Sequence, residues 1–518
     1  MSMFRKELEL VLSKYTTVFK ISAAVMLVLV IIGVVWPDGL EGMTTTIKSF
    51  IANKLGWYYL IGVTLFVIVC LAFLFTPLGR IKLGKKGDEP EFSRPTWIAM
   101  LFSAGMGIGI VFWGTAEPIS HYAISSPTGE TGTDQAIKDA LRYTYFHWGI
   151  HAWAIYGIVA LILAYFNFRH GQPGLISATL KPLIGEKSAN GLFGKVIDIL
   201  AVIATVIGVA TTLGFGAVQI NGGLSYLFGV PTGILVQFII VAIVTVLFMI
   251  SAWSGLGKGI KILSNANMAL ASVLFLLVFI VGPTMLILNL FTNSIGSYIQ
   301  HLPQMSFRIA PLDQETREWI NSWTIFYWAW WIAWSPFVGV FIARVSRGRS
   351  IREFVFTVLI VPSVIGFLWF STFGGTAIHL EHTGVDTISK LATEESLFGV
   401  FSNIPLGWIA SIVAMCLIAT FFITSADSGT FVLGMMTTGG SETPGTSIKL
   451  TWGGLLSATA LALLYTGGLQ ALQNTMIIAA LPFSIIMLLM VFSFVKAIYK
   501  EGKELGIGQI TSKEKNKT

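Results

Sequence analysis

The sequence predicts an all-α integral membrane protein with twelve transmembrane helices. Of its 518 residues, 54% are hydrophobic and only 11% are charged, and the mean hydropathy is +0.76. A soluble protein usually carries about a quarter charged residues, so this chain lacks the polar surface that covers a water-exposed globule. The composition therefore excludes a soluble enzyme, a disordered scaffold and a disulfide-rich secreted domain.

Twelve apolar stretches approach or exceed the roughly 20 residues that a helix needs to cross a bilayer. They cover residues 20–37, 57–76, 95–115, 144–166, 196–228, 231–251, 267–291, 319–343, 354–374, 406–436, 451–468 and 472–497. We predict one membrane domain over residues 20–497, with a short N-terminal segment at 1–19 and a C-terminal tail at 498–518.

The positive charges predict the orientation of the chain. Of the 33 Lys and Arg residues, 26 fall in the tails and the even-numbered connections, and 7 fall in the others. Because cytoplasmic loops carry the excess of Lys and Arg, this distribution predicts a multi-pass cell-membrane protein with both termini in the cytoplasm. It also explains the net charge of +7 without nucleic acid as a partner.

Span 3 contains three glycines that alternate with apolar residues, Gly105, Gly107 and Gly109. A glycine inside a helix costs roughly 1 kcal/mol relative to alanine, so this spacing favours local unwinding. Unwound backbone at membrane depth is tolerated where it is buried or lines a cavity, and its carbonyl groups can coordinate a cation. Close helix packing through the same glycines is the alternative interpretation.

Span 4 places three aromatic residues on one arc of a helix. At about 100° per residue, Trp148, Trp153 and Tyr156 fall within about 140° of one another. His147 and His151 stand four residues apart in the same span, a spacing that can hold a metal or a haem. Hydrogen-bonded core histidines are the other interpretation of this pair.

Span 8 contains six of the 16 tryptophans within residues 319–334. An interfacial belt explains Trp319 and Trp323 at its start, but Trp331 and Trp334 lie nearer the middle of the membrane. Pro336 removes one hydrogen bond of the helix and frees a carbonyl one turn earlier. Such tryptophans suit a quaternary ammonium, which is held by cation–π attraction and not by hydrogen bonds.

Span 10 carries hydroxyl groups and a carboxylate in an apolar helix. Thr424 and Ser425 offer hard oxygen ligands of the kind that sodium prefers, and Asp427 follows them. Bonding of the hydroxyl groups back to their own helix is the simpler interpretation for Ser428 and Thr430. Asp427 can serve proton coupling, so sodium and proton both stay open at this point.

The span 8 run WAWWIAWSPFVG at 328–339, followed by an Arg-Gly-Arg-Ser loop, resembles the betaine/choline/carnitine transporter family over essentially the whole chain. The resemblance is strongest to the sodium-coupled glycine betaine transporters of that family. It implies a LeuT-type fold in which spans 3–7 and spans 8–12 are inverted five-helix repeats. It also implies a homotrimer.

The resemblance implies the site residues. The substrate box falls on Trp148, Trp153, Tyr156 and Trp331, with Trp334 on the cytoplasmic exit path and Gly105, Gly107 and Gly109 at the nearby helix break. The sodium site maps to Ser103, Met106, Phe421, Thr424 and Ser425. A second sodium site maps to Thr205 and Phe337, although Val209 stands where the family can carry another hydroxyl.

These observations predict a secondary active transporter, and not an enzyme, that imports glycine betaine or a similar quaternary-ammonium solute by sodium symport for osmoprotection. Its expected partners are the small-molecule substrate, sodium as the coupling ion and membrane lipid, with no cofactor. Gly109 stands where choline carriers of the family tend to have aspartate, which favours a zwitterionic substrate. A choline, carnitine or ectoine carrier, including a proton-coupled one, is the alternative within transport. A membrane metalloprotein or haem protein that uses His147 and His151 is the alternative from another class.

Overall fold

The computed structural model describes residues 15–105, 107–254, 257–385 and 387–507. Within these ranges the regular structure is helical, apart from one isolated β-bridge between Lys82 and Ser350. Ten helices of the described part are long and apolar enough to cross a membrane. The prediction of an all-α membrane fold is confirmed, and the count of twelve spans stays a prediction.

The first half of the chain contains eight principal helices. They are α1 (Thr17–Val35), α2 (Pro37–Phe75), α3 (Arg94–Gly105), α4 (Ile108–Ile119), α5 (Asp134–Trp148), α6 (Ile150–Ala164), α7 (Leu192–Phe228) and α8 (Ile234–Ser254). A π-helical turn, Ser120–Ile124, extends α4, and another, Tyr165–Arg169, extends α6. Short helical turns at Ser177–Leu180, Lys181–Ile184 and Glu186–Ala189 lead into α7.

The second half continues with eight further helices. They are α9 (Gly257–Val281), α10 (Thr284–Ser306), α11 (Gln314–Ser322), α12 (Thr324–Val345), α13 (Ile351–His382), α14 (Ser396–Ser402), α15 (Gly407–Thr437) and α16 (Thr446–Glu504). Short 3-10 turns lie at Pro77–Arg80 and Ile388–Lys390. Helix α16 includes both of the last two predicted spans, and its backbone leaves the helical conformation at Gly467 and Gly468.

The helices divide into an inner group and an outer group. The span residues of α5–α6, α7 and α11–α12 are almost all buried, whereas most of those of α1, α8 and α9 are exposed or only partly buried. Outward side chains on these outer helices, such as Val28 on α1 and Ile243 on α8, are apolar and exposed. An apolar exterior of this kind suits lipid, and it leaves the inner helices to carry the chemistry.

The predicted span at 267–291 is wrong in its bounds. The structure has α9 ending at Val281 and α10 starting at Thr284, with Pro283 between them outside either helix. Proline has no amide hydrogen and disfavours helical backbone in the residue before it, here Gly282, so the helix ends there. The predicted span extends across this break because residues 284–291 are also largely apolar, and it is defined by apolar composition alone.

The helix breaks in predicted spans 8 and 4 lie at positions that the sequence does not indicate. Helix α12 continues through Pro336, and the hydroxyl of Ser335 donates to the carbonyl of Ile332 at 2.8 Å, the carbonyl that the proline leaves without its usual partner. The break in predicted span 8 lies instead at Trp323, between α11 and α12. Predicted span 4 is also broken, at Gly149, although its sequence predicts one continuous helix.

Candidate functional site

The Gly-rich segment of span 3 is a true helix break. Helix α3 ends at Gly105, α4 begins at Ile108, and Gly107 between them has φ −120° and ψ −143°. No side chain caps the start of α4, and Ile108, Gly109 and Ile110 are fully or almost fully buried. The amides of a first helical turn lack acceptors within the helix and lie at its positive end. The predicted unwinding is therefore present, and Met106 inside it lies outside the described residues.

Each of the three glycines lies against a tryptophan ring. A Cβ placed on Gly105 would lie 2.3 Å from Cη2 of Trp153, and one on Gly109 would lie 2.6 Å from Cη2 of Trp330. A Cβ on Gly107 would lie 3.5 Å from Cη2 of Trp334. Close packing, the alternative interpretation of these glycines, therefore holds as well, because their missing side chains let aromatic rings approach the broken backbone.

Four of the predicted substrate residues meet as one cluster, which we call the aromatic box: Trp148, Trp153, Tyr156 and Trp331. The ring centroids lie 4.9 Å apart for Trp148 and Trp331, and 5.8 Å apart for Tyr156 and Trp331. Trp153 contacts Tyr156, also at 5.8 Å, and all three pairs meet edge to face. All four side chains are buried, so the box lies within the inner helices.

The unexpected break at Gly149 positions the box. It leaves the carbonyl of His147 near the end of α5, and the indole Nε1 of Trp331 donates to this carbonyl at 2.9 Å. A Cβ on Gly149 would lie 2.5 Å from the carbonyl oxygen of Tyr145 and 2.8 Å from Cζ of Phe367, so the position requires glycine. Glycine inside an apolar helix is the sequence signal that the breaks in span 3 and span 4 share.

Polar atoms near the box have no hydrogen-bond partner among the described residues. These are the hydroxyl of Tyr156 and the indole nitrogens of Trp330 and Trp334, all of them buried. A buried polar group without a partner costs about 1–3 kcal/mol, so such groups are generally satisfied by water or by a ligand. Three of them in one region indicate a place where a polar ligand fits.

The sequence interpretation missed a buried polar cluster, which we call the Glu117 cluster: Glu117, His121 and His147. Glu117 Oε1 lies 2.7 Å from His147 Nδ1 and 3.3 Å from His121 Nε2. Its other oxygen accepts hydrogen bonds from Trp148 Nε1 at 2.7 Å and from the Tyr327 hydroxyl at 2.5 Å. A carboxylate inside a span is a functional signal, but the predicted span ended at residue 115, just short of it.

One of the predicted sodium ligands on span 10, Ser425, lies beside the same helix break. A Cβ placed on Gly107 would lie 3.6 Å from Oγ of Ser425. Thr424 Oγ1 accepts a hydrogen bond from Asn267 Nδ2 at 2.9 Å and lies 3.2 Å from the carbonyl oxygen of Phe421. Of the two remaining predicted ligands, the side chain of Ser103 and the whole of Met106 lie outside the described residues.

Asp427, which the sequence leaves open as a proton-coupling group, follows Thr424 and Ser425 on α15. Its Oδ2 accepts from the hydroxyl of Ser251 at 2.5 Å, and its backbone carbonyl accepts from the hydroxyl of Thr430 at 2.7 Å. Thr430 therefore bonds back to its own helix, as the simpler interpretation holds. The Asp427 carboxylate faces α8 and not the helix break.

The residues of the predicted second sodium site lie on two helices that pack together. The hydroxyl of Thr205 donates to the carbonyl of Ala201 in its own helix at 2.8 Å. Phe337 contacts Trp334, with ring centroids 5.5 Å apart. Helices α7 and α12 touch where Gly208 faces Ala333 and Trp334, and this second site stays a prediction.

His147 and His151 do not act as a pair. His147 lies in the Glu117 cluster, with its Nε2 3.0 Å from Oγ1 of Thr324, whereas His151 Nε2 lies 3.0 Å from Oγ of Ser306. The break at Gly149 separates the two histidines, so the four-residue helical spacing does not apply. The interpretation as hydrogen-bonded core histidines fits both.

Comparison with known proteins fits this architecture. The family model described as the betaine/carnitine/choline family transporter matches residues 17–503. The glycine betaine transporter OpuD of Bacillus subtilis is 60% identical over 494 residues, which are 95% of this chain and 96% of OpuD. The chain belongs to the betaine/carnitine/choline transporter family. As a member of this transporter family it is a multi-pass membrane protein and not an enzyme, so the alternative of a metalloprotein or haem protein that uses His147 and His151 as a pair is wrong.

Other members of the family are also similar over their length. The ectoine/hydroxyectoine transporter of Virgibacillus pantothenticus is 44% identical, covering 94% of this chain and 97% of that protein. The betaine/ectoine transporter LcoP of Corynebacterium glutamicum is 42% identical, and the match covers 93% of this chain and 77% of LcoP. A crystal structure of MhsT in complex with L-phenylalanine matches with a TM-score of 0.44 and 13% identity, over 79% of this chain and 100% of that one.

Proposed function

We propose that this member of the family imports glycine betaine, or a close trimethylammonium zwitterion, by sodium symport. The observation that carries the proposal is the aromatic box, in which Trp148, Trp153, Tyr156 and Trp331 meet edge to face in the buried centre of the protein. A quaternary ammonium neither donates nor accepts hydrogen bonds, and desolvated aromatic faces attract it by about 2 kcal/mol or more.

The charges around the box favour a zwitterion over a simple cation. The nearest carboxylate described is that of Glu117, and it already accepts hydrogen bonds from Trp148 and Tyr327 and faces two histidines. The uncapped first turn of α4 lies beside the box, because a Cβ on Gly109 would lie 3.4 Å from Cη2 of Trp148. The positive end of that helix offers amides to a ligand carboxylate.

The relatives support this substrate class and one alternative. OpuD, at 60% identity, is named for glycine betaine, and the relatives at 44% and 42% identity are named for ectoine alone or with betaine. Ectoine is a zwitterion without a trimethylammonium group, so it would make weaker use of the box. Choline lacks the carboxylate that the first turn of α4 would bind.

A competition experiment tests the substrate. Purified protein in proteoliposomes takes up labelled glycine betaine, and a tenfold excess of unlabelled betaine, ectoine, choline, carnitine or proline betaine is added. We expect betaine to compete most strongly, proline betaine next, and choline least. Stronger competition by ectoine or choline than by betaine would contradict the assignment.

Sodium coupling is proposed from the hydroxyl groups beside the helix break. Ser425 faces the unwound backbone at Gly107, and Thr424 precedes it on the same helix. Backbone carbonyl and hydroxyl oxygens are the hard ligands that sodium prefers. Binding of sodium there would link α15 to the broken segment between α3 and α4. Since the same segment contacts Trp153, occupancy of the ion site would stabilise the box.

Replacing Ser425 with alanine is expected to raise the sodium concentration for half-maximal uptake about tenfold, equivalent to about 1.4 kcal/mol. Ser411→Ala is the matched control, because Ser411 lies on the same helix and, among the described residues, its hydroxyl bonds only the carbonyl of Gly407. Uptake by proteoliposomes is measured over a range of sodium concentrations at constant ionic strength. An unchanged sodium dependence in Ser425→Ala would remove this residue from the proposed site.

We further propose that the protein is a homotrimer in the cell membrane with both termini in the cytoplasm, and that it serves osmoprotection. The orientation rests on the uneven distribution of its 33 Lys and Arg residues. Single-cysteine labelling of residues in the 125–131 connection and in the 83–91 connection checks the orientation from outside the cell. We expect the impermeant reagent to label the cysteine in the 125–131 connection and not the cysteine in the 83–91 connection.

A further inference from the structure

We propose that the Glu117 cluster binds a divalent transition-metal ion such as Zn²⁺, and that this ion inhibits transport. Glu117, His121 and His147 each offer one ligand atom, these atoms all lie within 4.8 Å of one another, and all three side chains are buried. Two imidazole nitrogens and one carboxylate oxygen form a common protein ligand set for zinc, with a fourth position left for water.

The two distances from Glu117 Oε1 to the histidine nitrogens can be compared with those around a tetrahedral ion. Zinc bonds of about 2.0–2.2 Å place neighbouring ligand atoms roughly 3.4 Å apart. His121 Nε2 already lies 3.3 Å from Glu117 Oε1, and His147 Nδ1, at 2.7 Å from the same oxygen, would need to withdraw slightly. A shift of that size lies within the movement of a single side chain.

Hydrogen bonds to the atoms that do not ligate hold two of the three ligands, Glu117 and His147, in orientation. Glu117 Oε2 accepts from Trp148 and Tyr327, which leaves Oε1 facing the histidines. His147 Nε2 lies 3.0 Å from Thr324 Oγ1, which leaves its Nδ1 toward Glu117. Partners of this kind, on the atoms that do not ligate, are characteristic of metal sites.

His121 separates a metal site from a simple hydrogen-bonded cluster. Although its Nε2 lies 3.3 Å from Glu117 Oε1, neither ring nitrogen makes a hydrogen bond in the described part of the chain, and the side chain is fully buried. Its ring packs at 4.5 Å from that of Trp323 and 5.1 Å from that of Trp319. His121 Nε2 therefore faces the Glu117 carboxylate at ion-pair distance without closing a hydrogen bond, and a metal ion between the two atoms would coordinate both of them.

Inhibition follows from what Glu117 holds, and this step rests on the proposed function. Its carboxylate connects Trp148 of the aromatic box with Tyr327 on α12, and the ligands themselves come from α5, α4 and its π-helical extension. An ion bound by all three residues would fix α4 and α5 relative to each other in the arrangement that the structure shows. Alternating access requires such helices to move relative to one another.

Binding is tested on purified full-length protein that has been treated with a chelator and titrated with Zn²⁺ alone. We expect about one tightly held ion per chain, and Co²⁺ in its place should give the visible absorption of a tetrahedral site. His121→Phe should weaken the binding roughly 100-fold, and His121→Asn serves where the phenylalanine variant does not fold. His151→Phe is the matched control, because His151 is equally buried but lies outside the cluster.

The outcomes separate this proposal from the proposed function. Absence of a stoichiometric ion, unchanged binding in both His121 variants, or an equal loss in His151→Phe would overturn the metal site. If zinc binds as expected but betaine is not transported at all, the proposed function fails and the site remains. With both correct, zinc inhibits betaine uptake by the wild type, and His121→Phe is at least tenfold less sensitive.

Discussion

Replacing Trp331 with leucine is expected to raise the apparent Michaelis constant for glycine betaine about thirtyfold, and Trp153→Leu should do the same. Each change removes one ring from the box, and one desolvated cation–π contact contributes about 2 kcal/mol. Trp331 is the more central of the two, because its ring contacts both Trp148 and Tyr156. Initial rates of labelled betaine uptake, measured over a range of concentrations in proteoliposomes, give the constant.

Two controls separate loss of binding from loss of folding. Trp408→Leu changes a tryptophan that is 70% exposed at the start of α15, and it should leave the constant unchanged. Trp331→Phe keeps an aromatic ring, so its Michaelis constant should lie between those of the wild type and the leucine variant. Membrane yield and size-exclusion profiles are compared for all variants, because Trp331 also stacks on Trp330 at 4.9 Å. Uptake like that of the wild type in either leucine variant would contradict the proposal that the aromatic box binds the substrate.

Adding a single methyl group at Gly105 should reduce kcat/KM for betaine uptake more than tenfold. The new Cβ would lie 2.3 Å from Cη2 of Trp153, a distance at which the rigid ring or the broken backbone must move. Movement of either disturbs the box and the start of α4 together. Because alanine favours the helix by roughly 1 kcal/mol over glycine, the change should also shorten the unwound segment.

Gly62→Ala is the matched control for this substitution. Gly62 lies inside α2, and a Cβ placed on it meets no atom within 4 Å. We expect this variant to transport like the wild type and to be at least as stable to heat. If Gly105→Ala transports equally well, the close approach of Trp153 to the broken helix has no role in transport.

The aromatic and glycine residues of the site could be predicted because their chemistry is unusual in a membrane helix. Gly105, Gly107 and Gly109 weaken a helix wherever they stand, so the break between α3 and α4 follows from local sequence. The meeting of Trp148 with Trp331, by contrast, depends on the packing of α5 and α6 against α12. Only the family resemblance brought these two residues together from sequence.

The features that sequence missed depend on tertiary contacts. Gly149 breaks a helix because Phe367 and the carbonyl of Tyr145 leave no room for a side chain, and neither contact can be inferred from span 4 alone. Pro336 does not break its helix, because the neighbouring Ser335 satisfies the freed carbonyl. Glu117 lies just beyond residue 115, where hydropathy ends predicted span 3, although its contacts with His121 and His147 place it in the protein interior.

The most direct test of sodium-coupled betaine import is uptake of labelled glycine betaine by the purified protein in proteoliposomes. Three conditions are compared: an inward sodium gradient, the same gradient of potassium, and an inward proton gradient without sodium. We predict accumulation above the external concentration only with sodium, and its loss in Trp331→Leu at low substrate. Equal accumulation with potassium, or accumulation driven by protons alone, would contradict the coupling that we assign to Ser425 and its neighbours.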